Sequence, residues 1–285
     1  MIHPLLPSPT EVVDAPPHPQ AADGVRIELG SPQRFGYEWE RYREILPESR
    51  EQLCRWLGST GLESFAGKTV LDVGCGMGRN PYWMAKAGAA SVTAVDVDDR
   101  SLAAARENLN GLANVSVMKG SAYALDPERH GTFDRVTSIG VVHHLSEPAT
   151  ALERMWRCVR PGGDLVLWCY AKEGNRLALP AIQTCRWLGS RLPLPATHGL
   201  AKMITLGLWP AIKMMPFRTS YYAKLRQLSF KNVESIVFDQ MLPTIANYWT
   251  RDEITALVGP LEGGRPHVEF VQGNSWHVRV TKVDA

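Results

Sequence analysis

The chain has 285 residues, of which 45% are hydrophobic, so it is long enough to bury a large core in one domain with an added substructure. Its formal charge of +2 is too small for an obligate nucleic-acid-binding protein, and we expect no nucleic-acid partner. Five scattered cysteines lack the close spacing of a zinc or redox motif, which predicts a reducing, cytoplasmic setting and no metal site.

The beginning of the chain is rich in proline and alanine and shows no hydrophobic periodicity. We expect residues 1–30 to be a mobile arm and to contain no signal peptide. Aromatic and charged side chains follow over residues 31–66, and the apolar side chains from Glu48 to Leu57 have helical spacing. Residues 31–66 are therefore predicted to be an N-terminal helical segment that leads into the core.

Short apolar runs alternate with helical patterns over residues 67–170, which is typical of a parallel sheet covered by helices. Five strands are expected in this core, at residues 69–73, 92–97, 115–119, 135–139 and 164–170. Three helices are expected between them, at about residues 80–87, 100–108 and 148–159. The last helix ends before a Pro-Gly-Gly turn signal at residues 161–163.

Residues 171–250 break this rhythm with a proline-interrupted segment rich in Leu, Met and Trp, which we predict to be a helical cap over the substrate. Residues 175–233 contain nine Lys or Arg side chains and no Asp or Glu. Such a cap could bind an apolar, anionic or phosphorylated acceptor, or lie on an anionic membrane surface. Alternatively, its apolar face packs on the sheet or on a second subunit of a homodimer, and its basic face is solvated. The most apolar run, at residues 203–217, is too short to span a bilayer.

Residues 251–285 are predicted to complete the core. A capping box at Thr250 starts a helix that runs to Leu257. Two alternating runs, at residues 267–271 and 276–281, then flank a Gln-Gly-Asn-Ser turn. The predicted fold is thus an α/β, Rossmann-like, doubly wound sheet, mostly parallel, with an antiparallel edge hairpin and a helical cap.

A glycine motif follows the first predicted strand and precedes a helix, which is where a doubly wound sheet binds ligands. Its glycines, Gly74, Gly76 and Gly78, are spaced more closely than the dinucleotide fingerprint, which serves a pyrophosphate. Asp72 precedes them, and its carboxylate would interact favourably with a ligand that carries a cationic amino group. Asp96 ends the second strand about twenty residues later, where a carboxylate can accept hydrogen bonds from ribose hydroxyls.

Four segments resemble successive motifs of the class I, Rossmann-like S-adenosylmethionine-dependent methyltransferases, in a region of roughly residues 65–170. They are VLDVGCGMGR (70–79), AVD (94–96), FDRV (133–136) and RPGG (160–163). The resemblance implies an enzyme with S-adenosylmethionine as its cofactor. The cofactor-binding positions it implies are Asp72, Gly74, Cys75, Gly76, Gly78, Asp96, Val97, Ser121, Ala122 and Gly140.

The sequence departs from the family at the adenine site. Many relatives place an acidic residue after the third strand to hold the adenine amino group, whereas this chain has Gly120-Ser121-Ala122. Ser121 or a backbone carbonyl would then bind that group, and Val97 or Ala122 would contact the ring.

Two histidines, His143 and His144, follow the fourth predicted strand at the carboxyl edge of the sheet. One of them could be the general base that takes a proton from a hydroxyl acceptor, since a neutral imidazole suits that role. The alternative is that the pair only packs against the next helix and the cofactor. Alignment alone can drive methyl transfer from a sulfonium, so a base is not required.

Polar and aromatic residues on both sides of the core could contact the acceptor. The candidate substrate residues are Tyr37, Tyr42, Tyr221, Tyr222, Gln240, Asn247 and Tyr248. Other polar side chains that could close over a substrate are Glu38, Asp239, Asn274 and His277.

The sequence therefore predicts a methyltransferase that acts on a small-molecule acceptor, on a hydroxyl of a sugar, a phenol or a natural-product intermediate. One alternative is C- or N-methylation of a prenyl diphosphate, a nucleotide diphosphate or a lipid-like acceptor. Another is a module without catalytic activity, either bound to S-adenosylmethionine or binding RNA through the basic segment. Binding to an RNA backbone would weaken steeply with added salt, and binding in a buried pocket far less.

Overall fold

The computed structural model describes residues 31–214 and 226–283 of the chain. Its centre is a seven-stranded sheet composed of β1 (Thr69–Val73), β2 (Ser91–Asp96), β3 (Val115–Lys119), β4 (Phe133–Ile139), β5 (Val159–Tyr170), β6 (Gly264–Val271) and β7 (Ser275–Lys282). The spatial order is β3-β2-β1-β4-β5-β7-β6. β1 to β5 run parallel, whereas β7 is antiparallel to its neighbours β5 and β6. The predicted fold class, with its antiparallel edge hairpin, is confirmed.

Helices cover both faces of the sheet and its carboxyl edge. They are α1 (Ser31–Arg41), α2 (Glu48–Trp56), α3 (Arg79–Lys86), α4 (Asp99–Asn108), α5 (Pro127–His130), α6 (Pro148–Arg157), α7 (Leu179–Gly189), α8 (Leu194–Met214), α9 (Phe230–Met241) and α10 (Arg251–Val258). The predicted capping box is present at the start of α10, where Thr250 and Glu253 each bind the other's backbone N–H.

The predicted strand bounds agree with the structure for β1 and β3, but β5 begins earlier than expected. Phe133 pairs with Val159, and pairing resumes only between Arg135 and Asp164. The Arg-Pro-Gly-Gly segment between them forms an irregularity inside the strand, with Gly162 at φ +71°. The sequence signal for a turn at this segment was therefore correct locally, although the strand continues through it.

The core consists of two apolar layers, one on each face of the sheet, because parallel strands are covered by helices on both sides. Leu71 of β1 and Leu152 of α6 belong to one layer, and Val70 of β1 and Met84 of α3 belong to the other. β4, at the centre, is buried along its whole length. Full burial of each large apolar side chain contributes roughly 1.5 to 3 kcal/mol to folding.

One charged side chain within β4 is buried and fully paired. The Arg135 guanidinium donates to both carboxylate oxygens of Asp164, at 2.6 and 2.8 Å, and to Ser64 Oγ at 2.6 Å. The ring of Phe65 lies under the guanidinium, with 4.5 Å from Cζ to the ring centroid. This arrangement anchors the family-like FDRV segment, since removing one partner of a buried pair leaves an uncompensated charge.

The cap predicted for residues 171–250 contains α7, α8 and α9 in its described part. Ala201 of α8 and Phe238 of α9 share an apolar cluster with half-buried Phe35 and Tyr37 of α1. Arg34 joins α1 to the cap by donating to backbone carbonyl oxygens of residues 189 and 242, each at 2.7 Å. α1 and the cap therefore form one layer at the carboxyl edge of the sheet.

Part of the apolar surface of the cap is exposed rather than packed against the core. The exposed large apolar side chains in its described part are Leu177, Trp187, Leu188, Met203, Leu206, Leu208 and Met214. None of the helices in residues 31–214 and 226–283 combines the length and the apolar content needed to cross a bilayer.

Candidate active site

A cavity of about 310 Å³ lies where the carboxyl ends of the parallel strands meet. The segments after β1, β2, β3 and β4 and the end of β5 form its walls, together with residues of α1 and α9. A doubly wound sheet binds its ligands at this edge, beside the point where the strand order reverses. The cavity lining contains eight of the predicted cofactor positions, Gly74, Cys75, Gly76, Asp96, Val97, Ser121, Ala122 and Gly140.

The loop between β1 and α3 requires glycine at two positions. Gly74 and Gly76 have φ angles of +79° and +55°, which residues with a side chain rarely adopt. A Cβ on Gly74 would lie 2.4 Å from a methyl carbon of Val141, and one on Gly76 would lie 3.0 Å from Trp39 Nε1. The neighbouring side chains therefore leave no space for a Cβ at either position, and both glycines line the cavity. Gly78 precedes α3 with φ +87° and does not line the cavity.

The Asp96 carboxylate holds the glycine loop in place. Its Oδ2 accepts from the Gly76 N–H at 2.8 Å, and its Oδ1 accepts from the Asp98 N–H at 3.0 Å. Burial raises the pKa of Asp96, and these backbone hydrogen bonds oppose that shift. A carboxylate can accept about four hydrogen bonds, so Asp96 has acceptor capacity left for two hydroxyls in the cavity.

Asp72 is buried in β1 and does not line the cavity. Its Oδ1 accepts from Thr137 Oγ1 at 2.6 Å, whereas its Oδ2 is buried without a hydrogen-bond partner. Burial raises the pKa of Asp72 to about 7, and the nearby charge of Asp96 adds to the effect. For Asp72 to contact the cofactor amino group as predicted, the residues that separate its carboxylate from the cavity would have to move.

The Ser121 hydroxyl is engaged locally as well as lining the cavity. It accepts from the Tyr123 N–H at 3.2 Å and caps the short 3₁₀ turn Ala122–Ala124. A hydroxyl that accepts in this way can still donate, so Ser121 remains a hydrogen-bond donor for a ligand.

The two predicted histidines lie in the cavity wall, in the 3₁₀ turn Val142–His144. His143 is fully buried, and neither of its ring nitrogens has a hydrogen-bond partner. His144 Nδ1 lies 2.9 Å from the Ile245 carbonyl oxygen, so this nitrogen carries the hydrogen and Nε2 is free to accept. Burial lowers the pKa of His143 well below its usual value and that of His144 to about 4, so both rings are neutral near pH 7.

Two carboxyl groups, from opposite ends of the chain, also line the cavity. Glu38 of α1 is buried, and its Oε2 has no hydrogen-bond partner. Asp239 of α9 accepts at Oδ2 from the Tyr170 hydroxyl and from Gln240 Nε2, each at 3.4 Å. Burial raises the pKa of Glu38 well above its usual value, and the charge of Asp239 raises it further.

Arg79, the first residue of α3, is the basic group in this part of the lining. Its Cζ lies 5.7 Å from the ring centroid of Trp39 and 5.4 Å from that of Trp56. These contacts hold the guanidinium beside the glycine loop through cation–π attraction. Burial lowers the pKa of Arg79, and the charges of Glu38 and Asp239 oppose that shift.

The sequence of this chain matches known methyltransferases. A family model described as a methyltransferase domain matches residues 71–167. A ubiquinone biosynthesis O-methyltransferase of Pseudomonas paraeruginosa is 33% identical over 177 residues, which cover 60% of this chain and 74% of that relative. The corresponding Azotobacter vinelandii protein is 34% identical, with the same coverage. The chain belongs to the S-adenosylmethionine-dependent methyltransferases.

Solved structures support the fold of this methyltransferase. An O-methyltransferase family protein from Burkholderia thailandensis has a TM-score of 0.53 at 12% identity, covering 88% of this chain and 59% of that one. Human N-acetylserotonin methyltransferase, in complex with S-adenosylmethionine, has a TM-score of 0.52 at 14% identity, covering 88% and 56%. At these identities the likeness concerns the fold alone.

The residues of the cavity fit the cofactor that the family implies. The backbone of the glycine loop lines the cavity, and Asp96 presents a carboxylate beside it. S-adenosylmethionine carries ribose hydroxyls that such a carboxylate can bind. The methyltransferase shows no group of three His, Cys, Asp or Glu side chains suited to a metal ion among the residues that the structure describes.

The predicted substrate residues lie outside the lining wherever the structure describes them. Tyr42 contacts His198, Asn247 donates to the Leu145 carbonyl oxygen at 3.1 Å, and Tyr248 stacks on a ring of the wall. They support the wall rather than form it, as do Tyr37 and Gln240. Tyr221 and Tyr222 fall outside the described residues, and the roles of all seven stay predictions.

Asn274 and His277, the remaining polar candidates, are also absent from the lining. His277 is fully buried and bonds Thr60 across 2.8 Å. The sequence reasoning did not identify several lining residues of the methyltransferase, namely Phe35, Arg79, Trp168, Tyr170, Ser235 and Ile236. One signal was available: Ser235, Ile236 and Asp239 share one face of a helix at i, i+1 and i+4 spacing.

Proposed function

We propose that the methyltransferase transfers the methyl group of S-adenosylmethionine to a hydroxyl oxygen of a small-molecule acceptor. The observation that carries the proposal is the continuity of one cavity, from the glycine loop and Asp96 to the titratable groups of His143, Tyr170 and Asp239. Such a cavity can hold a donor and an acceptor side by side. The relatives named as O-methyltransferases support oxygen as the attacked atom.

We assign the two halves of the cavity to different ligands: the half beside the glycine loop and Asp96 to the cofactor, and the half beside Tyr170 and Asp239 to the acceptor. We assign the methionine and ribose parts of the cofactor to the glycine loop and Asp96, and the adenine ring to Val97, Ser121 and Ala122. When bound, the cofactor supplies a methyl group on a positively charged sulfur. The protein then needs to align the acceptor oxygen and exclude water, which together can account for much of the rate enhancement.

The acceptor half has walls suited to a flat ring. Phe35, Trp168 and Tyr170 contribute aromatic surface there, and Glu38 and Asp239 contribute hydrogen-bonding groups. This combination favours a hydroxylated ring, such as a phenol or a sugar, over a long unbranched chain. The name of the relatives, which refers to ubiquinone biosynthesis, agrees with a hydroxylated ring acceptor.

A panel of purified acceptors tests this proposal. Each hydroxylated compound, for example catechol, phenol and glucose, is paired with a matched amine and with its fully methylated ether. We expect labelled methyl transfer from S-adenosylmethionine to at least one hydroxyl compound and none to its methyl ether. Transfer only to the amines would contradict oxygen as the attacked atom.

A hydroxyl acceptor must give up its proton during the reaction. The earlier hypothesis that His143 or His144 accepts it stays a prediction. If it is correct, an alanine variant should lose about 100- to 10,000-fold in single-turnover rate, with cofactor affinity nearly unchanged. Normal rates in both variants would exclude a histidine base.

We also propose that the cap contacts lipid or an anionic membrane surface, as the basic and apolar composition of the segment predicts. The exposed side chains of Trp187, Met203 and Leu206 beside exposed Lys202 and Arg191 support this. Sedimentation with vesicles of anionic or neutral lipid tests this proposal. A protein that sediments with neither type of vesicle would contradict it. A homodimer that buries the same side chains is the alternative, and it would appear as a doubled mass in solution.

A further inference from the structure

Two carboxyl groups meet at the acceptor half of the cavity, and neither has an ion-pair partner within the described residues. Glu38 comes from α1 and Asp239 from α9, and both line the cavity. Burying carboxyl groups without such partners costs stability, so sites of this kind are enriched at functional centres.

The Asp239 carboxylate is oriented on one side and open on the other. Its Oδ2 accepts from the Tyr170 hydroxyl and from Gln240 Nε2, and Gln240 Nε2 also donates to the Tyr170 hydroxyl at 2.9 Å. No described residue donates to its Oδ1. A carboxylate held by one oxygen, with the other facing a cavity, has the arrangement of a positioned base.

A stack of aromatic rings fixes this orientation. The ring of Tyr170 lies 4.0 Å from that of His143, between centroids, and 5.1 Å from that of Tyr248, with 22° between the latter planes. Asp239 is therefore one ring away from the turn that ends β4, against which the transferred methyl group is expected to lie.

Charged and titratable groups from several elements face Asp239. They are Glu38 from α1, Arg79 from α3, Tyr170 from β5, Arg186 from α7 and Tyr248 from the segment after α9. Burial raises the pKa of Asp239 to about 6, whereas Arg186, Arg79 and its hydrogen bonds oppose the shift. Burial and the charge of Asp239 raise the pKa of Glu38 well above its usual value, which favours the protonated form of Glu38.

We propose that Asp239 is the general base that takes the proton of the acceptor hydroxyl, and that protonated Glu38 donates a hydrogen bond to the same acceptor. The inference rests on oxygen methylation as proposed above. The acceptor oxygen forms a bond to the methyl carbon with a lone pair, and the electron pair of the broken carbon–sulfur bond stays on the sulfur. The hydroxyl proton passes to Asp239 Oδ1 and then to water.

The rival base is a histidine, and the two differ in strength. Burial lowers the pKa of His144 to about 4, below the value of about 6 for Asp239, so this imidazole is the weaker proton acceptor. Burial also lowers the pKa of His143 well below its usual value. General-base efficiency is greatest when the pKa of the base lies near the working pH. A carboxylate active above about pH 6 and an imidazole active above about pH 4 also predict different pH profiles.

The test compares single-turnover methyl transfer at saturating S-adenosylmethionine in the wild type and in Asp239→Asn, with the hydroxyl compounds of the panel as acceptors. The matched control is Asp252→Asn, an exposed aspartate in the first turn of α10. We expect Asp239→Asn to lose about 100-fold or more in rate and the control to stay within twofold. The melting temperature and the affinity for S-adenosylmethionine should be similar in all three proteins.

The pH profile provides a readout that a structural role would not change. A carboxylate accepts a proton only when ionised, so the wild-type rate should rise with pH through about 6 and then level off. Asp239→Asn should lose this rise, and Asp239→Glu should restore part of it. Retention of the rise in Asp239→Asn, or its loss in His143→Gln or His144→Gln instead, would overturn the inference.

Glu38 is tested by substitutions that keep or remove a donor. Glu38→Gln retains an N–H donor without charge and should keep KM within about threefold, whereas Glu38→Ala should raise KM tenfold with less effect on the rate constant. A Glu38→Gln variant as slow as Asp239→Asn would overturn the assigned role. If the wild type methylates no hydroxyl compound, the proposed function fails first; if it is active and Asp239→Asn is equally active, only the inference fails.

Discussion

Asp72 has a carboxylate oxygen in the core without a hydrogen-bond partner, and its ionisation should be visible in stability. Burial raises its pKa from 3.8 to about 7, so the folded protein holds this proton more tightly than the unfolded chain. The free energy of unfolding should therefore fall as pH rises from about 4 to about 7. Asp72→Asn should remove this part of the pH dependence, on the order of 1 to 3 kcal/mol, in urea titrations at pH 5 and pH 8. Parallel curves for both proteins would contradict the assignment.

Asp96 has two tasks in the structure, since it holds the Gly76 N–H and faces the cavity. Asp96→Ala should weaken the binding of S-adenosylmethionine and of its demethylated product by tenfold or more. The reason is the loss of charge-assisted hydrogen bonds worth roughly 1.5 to 3 kcal/mol each. Calorimetry measures both affinities directly. Equal affinity in the variant would remove Asp96 as the ribose anchor.

The loop that connects β1 to α3 should not tolerate a side chain at Gly74, and a matched pair of glycine substitutions can show why. Gly74 and Gly67 have similar φ angles, +79° and +71°, but a Cβ would lie 2.4 Å from Val141 at Gly74 and would meet nothing within 4 Å at Gly67. Gly74→Ala should therefore cost about 1 to 3 kcal/mol more than Gly67→Ala in thermal or urea unfolding. It should also weaken cofactor binding, which Gly67→Ala should not. Equal effects of both substitutions would show that Val141 moves away at little cost.

At the level of elements, the sequence predicted the strands of the core well because buried parallel strands are continuous apolar runs bounded by turn residues. β5 began earlier than predicted because a Pro-Gly-Gly signal cannot distinguish a turn from an irregularity within a paired strand. The helical cap was also recognisable. Which face of α9 meets the cavity was not, because the periodicity of a helix does not identify its neighbour.

The arrangement of the whole chain explains why the sequence predicted the cofactor half of the cavity but not the acceptor half. The glycine loop and Asp96 are close in sequence and follow adjacent strands, so their meeting follows from the fold alone. Glu38 and Asp239 come from distant segments, and only the packing of α1 against the cap brings both to one cavity. Both were named among possible substrate contacts, but nothing in the sequence separated them from Tyr42 or Asn247, which lie outside the lining.

Truncation tests the role of α1 in the whole molecule. Deleting residues 1–30 should leave cofactor affinity and melting temperature unchanged, because the contacts of Arg34 and the lining residues of α1 remain. Deleting residues 1–45 should lower the melting temperature by several degrees and abolish methyl transfer, since Glu38 and Trp39 are lost from the cavity wall. A protease that spares the first thirty residues of the native protein would contradict the predicted arm.

The atom that receives the methyl group tests the proposed function most directly. The wild-type protein is incubated with S-adenosylmethionine carrying a carbon-13 methyl group and with the small-molecule fraction of a cell extract, and the labelled product is examined by carbon-13 NMR. The chemical shift distinguishes a methyl group on oxygen from one on nitrogen or carbon. We predict a small product with an O-methyl group that Asp239→Asn forms at least 100-fold more slowly. A label found on nitrogen or carbon, or only in macromolecules, would contradict a small-molecule O-methyltransferase.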